Sequence, residues 1–226
     1  MHNLLILHSS GRVNRSITRQ LASQFRQQWQ DAFADAHILE RDLVASPCSL
    51  VDEPWIAAAF TPDSEQTAFM RQRLEQSNTL VKELMAADHV VIGAPLYNFG
   101  MPAALKAYFD QIVRVGKTFA FDPAQPEPYT PLLGQTPVTV IISAGDGALL
   151  PGGPLYHLNS LEPHLKTLAG FIGLAEPDFV RVGYDEYQDD RHLDSKERAA
   201  KALSDHVRTV VARRRSQAGM LEKVVG

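Results

Sequence analysis

The residues best suited to chemistry lie in the run Leu96-Tyr97-Asn98-Phe99-Gly100. Tyr97 and Phe99 offer ring faces and edges for stacking. The Asn98 amide supplies donors and an acceptor, which matches a ring edge that alternates N–H and C=O. Gly100 lets backbone approach a ligand closely. A second cluster, Ser9, Ser10, Asn14, Ser16 and Thr18, falls where a strand hands over to a helix. Free backbone N–H groups and the helix dipole make such a corner an anion site, and Arg12 or Arg15 would add charge. A third stretch, Ser143-Ala144-Gly145-Asp146-Gly147, has small residues whose exposed N–H groups can border a planar ligand.

Each stretch also has a plainer reading. The first fits a strand–turn–helix joint with ordinary core aromatics, and the loop by itself does not separate the two. The second fits N-capping by Asn14 or Ser16. Five small polar residues in ten exceed what one cap needs, which favours a phosphate. The third fits a simple turn. Neither GxxxxGK[ST] nor GxGxxG is present, so neither a nucleoside triphosphate loop nor a dinucleotide fingerprint is indicated.

These stretches must be positioned by the elements around them. His89–Ala94 is a short apolar run bounded by Pro95 and reads as a strand buried on both faces, as in a parallel sheet. Pro102 suits the first turn of a helix. That helix shows Leu105, Tyr108, Phe109, Ile112 and Val113 on one face and Lys106, Asp110 and Arg114 on another, with Gly116 as a cap. Asn3–Leu7 reads as the first strand. A helix from about Ser16 to Phe33 follows, with the stripe Ile17, Leu21, Phe25, Trp29 and Phe33.

His37–Leu43 is a weaker second strand. Val44–Pro62 reads as a long functional loop, and Asp63 with Gln66 as a capping box for a helix to about Ala86. Residues 122–137, with five prolines, read as an excursion. Val138–Ile142 is a fourth strand, followed by an insertion at Ala148–Pro154 and a helix over Leu155–Leu174. Phe179–Val182 is a fifth strand. The last helix starts near Asp194 and ends in Arg213-Arg214-Arg215, which reads as a solvated helix end, with a cofactor phosphate as a weaker alternative. Fraying is expected past Ser216.

Alternation of strand and helix gives one α/β domain over residues 1–226, and the expected arrangement is a doubly wound parallel sheet with helices on both faces, taken in the order 2-1-3-4-5 that the resemblance below implies. The three chemical stretches then follow neighbouring strands at the switch point, where open α/β sheets bind ligands. A cofactor with a phosphate at one end and a flat ring at the other fits that layout, and FMN is such a cofactor.

Composition agrees with a soluble globular chain: 226 residues, 45% hydrophobic and 21% charged. A net charge of -4 gives no electrostatic case for nucleic acid. Cys48 is the sole cysteine, so intramolecular disulfides and multi-cysteine metal sites are excluded. The apolar run Leu4–Leu7 is too short for a signal-peptide core or a membrane span, and a cytoplasmic location is expected.

The segment APLYNFGMPAALKAYFDQIVRVGKTFAF resembles the P-[ML]-Y-N-F…L-K-x-Y-F-D…G-x-T-F segment of the FMN-dependent NADH-azoreductases, also called NADH:quinone oxidoreductases. HSSGRVNRSITRQL resembles their phosphate loop, and the likeness spans nearly the whole chain. It implies a flavodoxin-like fold and a homodimer with each active site at the subunit interface. It implies FMN contacts at Ser10, Ser16, Ile17 and Thr18 for the phosphate, at Leu96, Tyr97, Asn98 and Phe99 for the ring, and at Ser143, Ala144, Gly145 and Asp146 along the far edge. Departures from the pattern are Phe121, where the family often has tyrosine, and Ser143-Ala144-Gly145-Asp146 in place of S-R-G-G. Asp146 either disfavours an anionic reduced flavin or faces solvent.

Flavin carries the hydride chemistry in such a protein, so neither a catalytic triad nor a metal is expected. The expectation is ping-pong transfer of two electrons from NADH or NADPH to quinones, with azo cleavage as a further activity. The acceptor would lie against Phe99 and Phe121. Tyr156 and His157 are weak candidates for stabilising charge on a reduced acceptor, equally readable as a helix start with a surface histidine. His8 and Cys48 are expected to be structural. A flavodoxin-like one-electron carrier is the alternative, marked by a stable one-electron form. A response-regulator domain is rejected, because His8-Ser9-Ser10 and Pro95-Leu96-Tyr97 stand where its acidic cluster would be.

Overall fold

Strand β3 (His89–Pro95) is buried along its whole length. The computed structural model, which describes residues 2–225 and the side chains through residue 216, shows why. β3 pairs in parallel with β1 (His2–His8) on one side and β6 (Val138–Ser143) on the other. Beyond them lie β2 (Ala36–Asp42) and β7 (Asp178–Val182), giving the order β2-β1-β3-β6-β7. That is the expected 2-1-3-4-5 arrangement, once a separate antiparallel hairpin of β4 (Phe119–Phe121) and β5 (Tyr129–Pro131) is set aside.

Alternate side chains of the strands feed two cores. Leu4, Ile6, Val91, Ile141, Val180 and Val182 face α1 (Ile17–Ala32) and α7 (Asp190–Val225). Leu5, Leu7, Val90, Ile92, Val140 and Ile142 belong to the core that α4 (Glu75–Ala86), α5 (Ala103–Ile112) and α6 (Leu161–Ile172) complete. The expected stripe of α1 is wholly buried, with Phe25 and Trp29 inaccessible. Burying side chains of that size stabilises by roughly 1.5–3 kcal/mol each.

Several elements depart from the sequence reading. The long loop 44–62 contains a helix, α2 (Glu53–Phe60), capped by Asp52, whose side chain accepts from the Trp55 N–H. Asp63 and Gln66 do not cap the next helix. Thr67 does, accepting from the Met70 N–H, and the helix breaks at buried Leu74 into α3 (Ala68–Arg73) and α4. Lys106 pairs with Asp110 at 2.5 Å, but Arg114 turns inward. It donates to Ser77 Oγ at 2.7 Å and lies 5.5 Å from the Trp55 ring, and burial pushes its pKa down.

The excursion at 122–137 is partly the β4–β5 hairpin. The helix after the insertion starts at Leu161, behind a short 3₁₀ turn at Tyr156–Leu158. The basic run is not a helix end, because α7 continues past it. Arg214 pairs with Asp88 at 2.5 Å and Arg215 donates to the Ala32 carbonyl at 2.7 Å, at the edge of the sheet where the strands begin. The run therefore lies at the opposite edge of the sheet from the loops that follow the strands' carboxyl ends. For residues 217–225 the expected fraying concerns side chains outside the described residues.

A histidine and a threonine on neighbouring strands are buried in the core. His89 Nε2 meets Thr139 Oγ1 at 2.9 Å, and that hydroxyl meets His206 Nε2 at 2.8 Å. The His89 ring stacks on Phe25 at 5.1 Å. Burial, then the neighbouring His206, lowers the His89 pKa to about 3. The folded state therefore holds His89 neutral where the unfolded chain, with an ordinary histidine pKa, takes up a proton. Stability is complete above about pH 6.5 and is lost as pH falls toward 3. Between pH 6.5 and 5, urea unfolding should show stability falling by up to about 1.4 kcal/mol per pH unit from this group. A His89→Asn variant should lose that slope, and an unchanged slope would refute the assignment.

Candidate functional site

The carboxyl ends of β1, β3 and β6 release three loops into one cleft. Its lining includes Ser10, Ser16 and Ile17 from the first loop, Leu96 and Tyr97 from the second, and Ser143 and Gly145 from the third. These residues were expected together from sequence. Pro95, Arg12, Arg15, Asp185 and Glu186 line it as well.

The first loop is shaped for an anion. Ser16 caps α1 by accepting from the Arg19 N–H at 3.3 Å, and its Oγ lies 3.1 Å from Thr18 Oγ1. The N–H groups of Ile17 and Thr18 have no acceptor among the described residues. Ser10, Ser16 and Thr18 are all buried. Thr18 packs beneath the lining on Gly93, where an added Cβ would stand 3.3 Å from the Thr18 Cβ. Glycine is thus what lets α1 sit this close to β3. His8, just before this loop, is tied to Glu40 at 2.9 Å and does not line the cleft.

The second loop is a tight turn. The N–H groups of Tyr97 and Gly100 each donate to the other residue's carbonyl, at 3.2 and 2.9 Å. Asn98 and Phe99 between them have φ of 46° and 68°, the left-handed conformations of a type I′ turn. Both side chains are thereby turned outward and exposed, and the Asn98 amide has no partner among the described residues. The Tyr97 hydroxyl accepts from the Gly11 N–H at 3.3 Å and so joins this turn to the first loop.

In the third loop, the Ala144 N–H is spent on the Val182 carbonyl at 2.8 Å, so this buried residue contributes shape alone. Asp146 is half-buried and held by neighbouring groups. Its carboxylate accepts from the Ala148 N–H at 2.8 Å and the Tyr187 hydroxyl at 3.1 Å, and that hydroxyl's pKa rises through this hydrogen bond.

The segment 183–189 after β7 was not expected to matter. It closes one side of the cleft: Asp185 pairs with Arg12 at 2.5 Å, and the Glu186 side chain covers Gly145, where any Cβ would collide with it. The sequence signal for it is an acidic pair between Tyr184 and Tyr187 just beyond a strand end.

Other expected residues stand apart. Tyr156 and His157 are exposed and do not line the cleft, although the same segment is tied to the turn by Ser160 N–H donating to the Phe99 carbonyl at 2.8 Å. Phe121 lies on the β4–β5 hairpin, 5.2 Å from the Tyr129 ring, and that hairpin packs on Phe171 near the end of α6. Trp55 is buried, donating to Gln111 Oε1 at 3.0 Å. Cys48 is buried, and burial raises its thiol pKa. No cluster of three or more His, Cys, Asp or Glu is placed to hold a metal among the described residues.

Residues 2–207 match a family described as having a flavodoxin-like fold. The chain is 48% identical, over 90% of its length and 95% of the other protein, to an FMN-dependent NADH:quinone oxidoreductase of Opitutus terrae. It is 40% identical, over 80% of its length and 86% of the other, to FMN-dependent NADH:quinone oxidoreductase 2 of Trichormus variabilis. Among solved structures it resembles an azoreductase from Bacillus anthracis str. Sterne, with a TM-score of 0.81 at 20% identity, over 92% of this chain and 99% of that one. An FMN-dependent NADH-azoreductase from Bacillus anthracis str. Ames Ancestor in complex with FMN gives 0.76 at 19% identity, over 92% and 100%.

The turn conformation carries a test of its own. Phe99 at φ 68° is strained as a non-glycine residue. Relief of that strain, less the extra unfolded-state entropy of glycine, should make Phe99→Gly more stable by about 0.5–1 kcal/mol. Denaturant unfolding checks this, and a destabilised variant would show that the ring's contacts outweigh the strain.

Proposed function

The chain belongs to the flavodoxin-like-fold family, alongside FMN-dependent NADH:quinone oxidoreductases, and from that premise we propose that it binds FMN non-covalently and passes two electrons from NADH or NADPH to quinones. Reductive cleavage of aromatic azo compounds follows as a further activity. The observation that carries the reading is the meeting of hydroxyl, aromatic and small-residue loops around one cleft. The residues present fit the cofactor, since the open N–H groups of Ile17 and Thr18 beside the Ser10 and Ser16 hydroxyls form a neutral donor set for a phosphate.

When bound, FMN supplies the acceptance and return of a hydride. The protein's part is binding and orientation. Ser10, Ser16, Ile17 and Thr18 would hold the phosphate end. Leu96, Tyr97 and Phe99 flank the ring, and the free Asn98 amide meets its polar edge. Ser143, Gly145 and the backbone at Asp146 border the far side, with Ala144 as filler. The left-handed turn at Asn98 and Phe99 fixes these side chains outward before any ligand arrives, which lowers the ordering cost of binding.

The working unit in this reading is a homodimer. Phe60, Phe121 and Tyr129 are exposed on one chain, and in this reading Phe121 meets the acceptor across the subunit boundary. A cytoplasmic enzyme acting on small molecules is consistent with a single buried thiol. No helix among the described residues is long and apolar enough to cross a membrane. Because the sequence carries no GxGxxG fingerprint for a separate nicotinamide site, donor and acceptor use one slot in turn.

Acid precipitation of the purified protein should release FMN, and initial rates with both substrates varied should give parallel double-reciprocal lines. Benzoquinones or naphthoquinones should have higher kcat/KM than azo dyes, whose full cleavage needs two successive hydrides. Release of FAD, or of no flavin, would refute the cofactor. Intersecting lines would refute the shared slot.

A further inference from the structure

We propose that Arg19, anchored by Asp42, is a positioning residue that holds the first loop open toward the phosphate by drawing its carbonyls away from the cleft. This rests on the reading of the cleft as an FMN site.

An anion-binding loop has two sides. Its N–H groups must face the anion, so its carbonyls must point elsewhere and find donors there. Arg19 supplies those donors. Its Nη2 donates to the Ser10 carbonyl at 2.9 Å and its Nε to the Arg12 carbonyl at 3.1 Å. The remaining arm, Nη1, pairs with Asp42 Oδ2 at 2.8 Å. Asp42 is itself held at the end of β2, where it pairs in register with His8 and its Oδ1 accepts from the N–H groups of Val44 and Ala45 at 3.0 and 3.1 Å. The hydrogen bond from Arg19, and then the bonds to the two backbone amides, keep Asp42 ionised, with a pKa near 2.

Arg19 is largely covered, at 16% side-chain exposure, and does not line the cleft. Arg12 and Arg15 do line it. The guanidinium therefore acts on the loop rather than on the ligand. Its planar fork is what the task requires, because two carbonyls and a carboxylate are gripped in three directions at once. A lysine ammonium cannot reproduce that grip. The Arg19 backbone N–H also donates to the Ser16 cap, so the same residue links the loop to the start of α1.

The test compares FMN with riboflavin, which has the ring and lacks the phosphate. The full chain, freed of flavin by dialysis, is titrated with each while flavin fluorescence is followed, for the wild type, Arg19→Gln, Arg19→Lys and Asp42→Asn. Arg19→Gln should weaken FMN by about ten- to hundredfold, the scale of one lost charge-assisted hydrogen bond, and leave riboflavin nearly unchanged. Arg19→Lys should recover part of the loss. Asp42→Asn should shift FMN in the same direction by less, which keeps the test open if Arg19→Gln fails to fold.

Equal weakening of FMN and riboflavin would overturn the proposal and make Arg19 a general stabiliser of the fold. Unchanged FMN binding in every variant would overturn it too. A wild type that binds FMN no better than riboflavin, with inorganic phosphate failing to compete, would instead overturn the FMN reading of the first loop.

Discussion

Parallel pairing of β1 with β3 and of β3 with β6 is the constraint on which the site depends. With His8 opposite Gly93 and Pro95 opposite Ser143, all three strands leave the sheet at one edge. The pairing is enforced by burial on both faces, since a slip of one residue in β3 would exchange Val91 for its neighbours Val90 and Ile92 across the two cores. The loops inherit their proximity from the sheet and need only local chemistry to finish the site. Gly93 adds the last element, because Thr18 rests directly on it and brings the helix N-terminus against the strand end.

Charge at the cleft is arranged in two layers. The inner layer, Arg19 with Asp42, is covered and fixes backbone. The outer layer, Arg12 with Asp185, is exposed on the arginine side, at 55%, and a pair of that kind contributes at most about 1 kcal/mol. Such a pair can exchange its carboxylate for an arriving anion at small cost. Arg15 lines the same wall and has no partner among the described residues. The segment after β7 thus meets both of its neighbours: Asp185 reaches the first loop and Tyr187 the third, through Asp146.

How much of this was legible in the sequence follows from which signals are local. The stripe Ile17, Leu21, Phe25, Trp29 and Phe33 and the apolar run of β3 are local patterns, and they made the α/β alternation and the three loops at strand ends legible, whereas the strand order came from likeness to a known fold. The β4–β5 hairpin is not periodic: its strands are three residues each, set among prolines, and carry no pattern long enough to read. Helix α2 did have a signal, an aspartate cap at Asp52 with a proline at Pro54 in the first turn, hidden inside a segment read as loop. The roles of Arg19 and Arg114 are not local at all. Both look like solvent-facing helix charges, and only tertiary contact shows one gripping loop carbonyls and the other buried beside Trp55. Likewise Phe121 looked like a pocket wall by likeness to a family pattern, whereas within one chain it belongs to the hairpin.

The central claim is that one ligand bridges the three loops, with its phosphate at the first and its ring at the second and third. Backbone amide NMR of the isotope-labelled chain, recorded without and with FMN, tests this directly. The account predicts the largest shifts at the amides of Ile17 and Thr18, at Tyr97 through Phe99, and at Gly145, all saturating at the same FMN concentration. Shifts confined to one of these loops, or centred elsewhere, such as the Arg114–Lys117 turn, would contradict it.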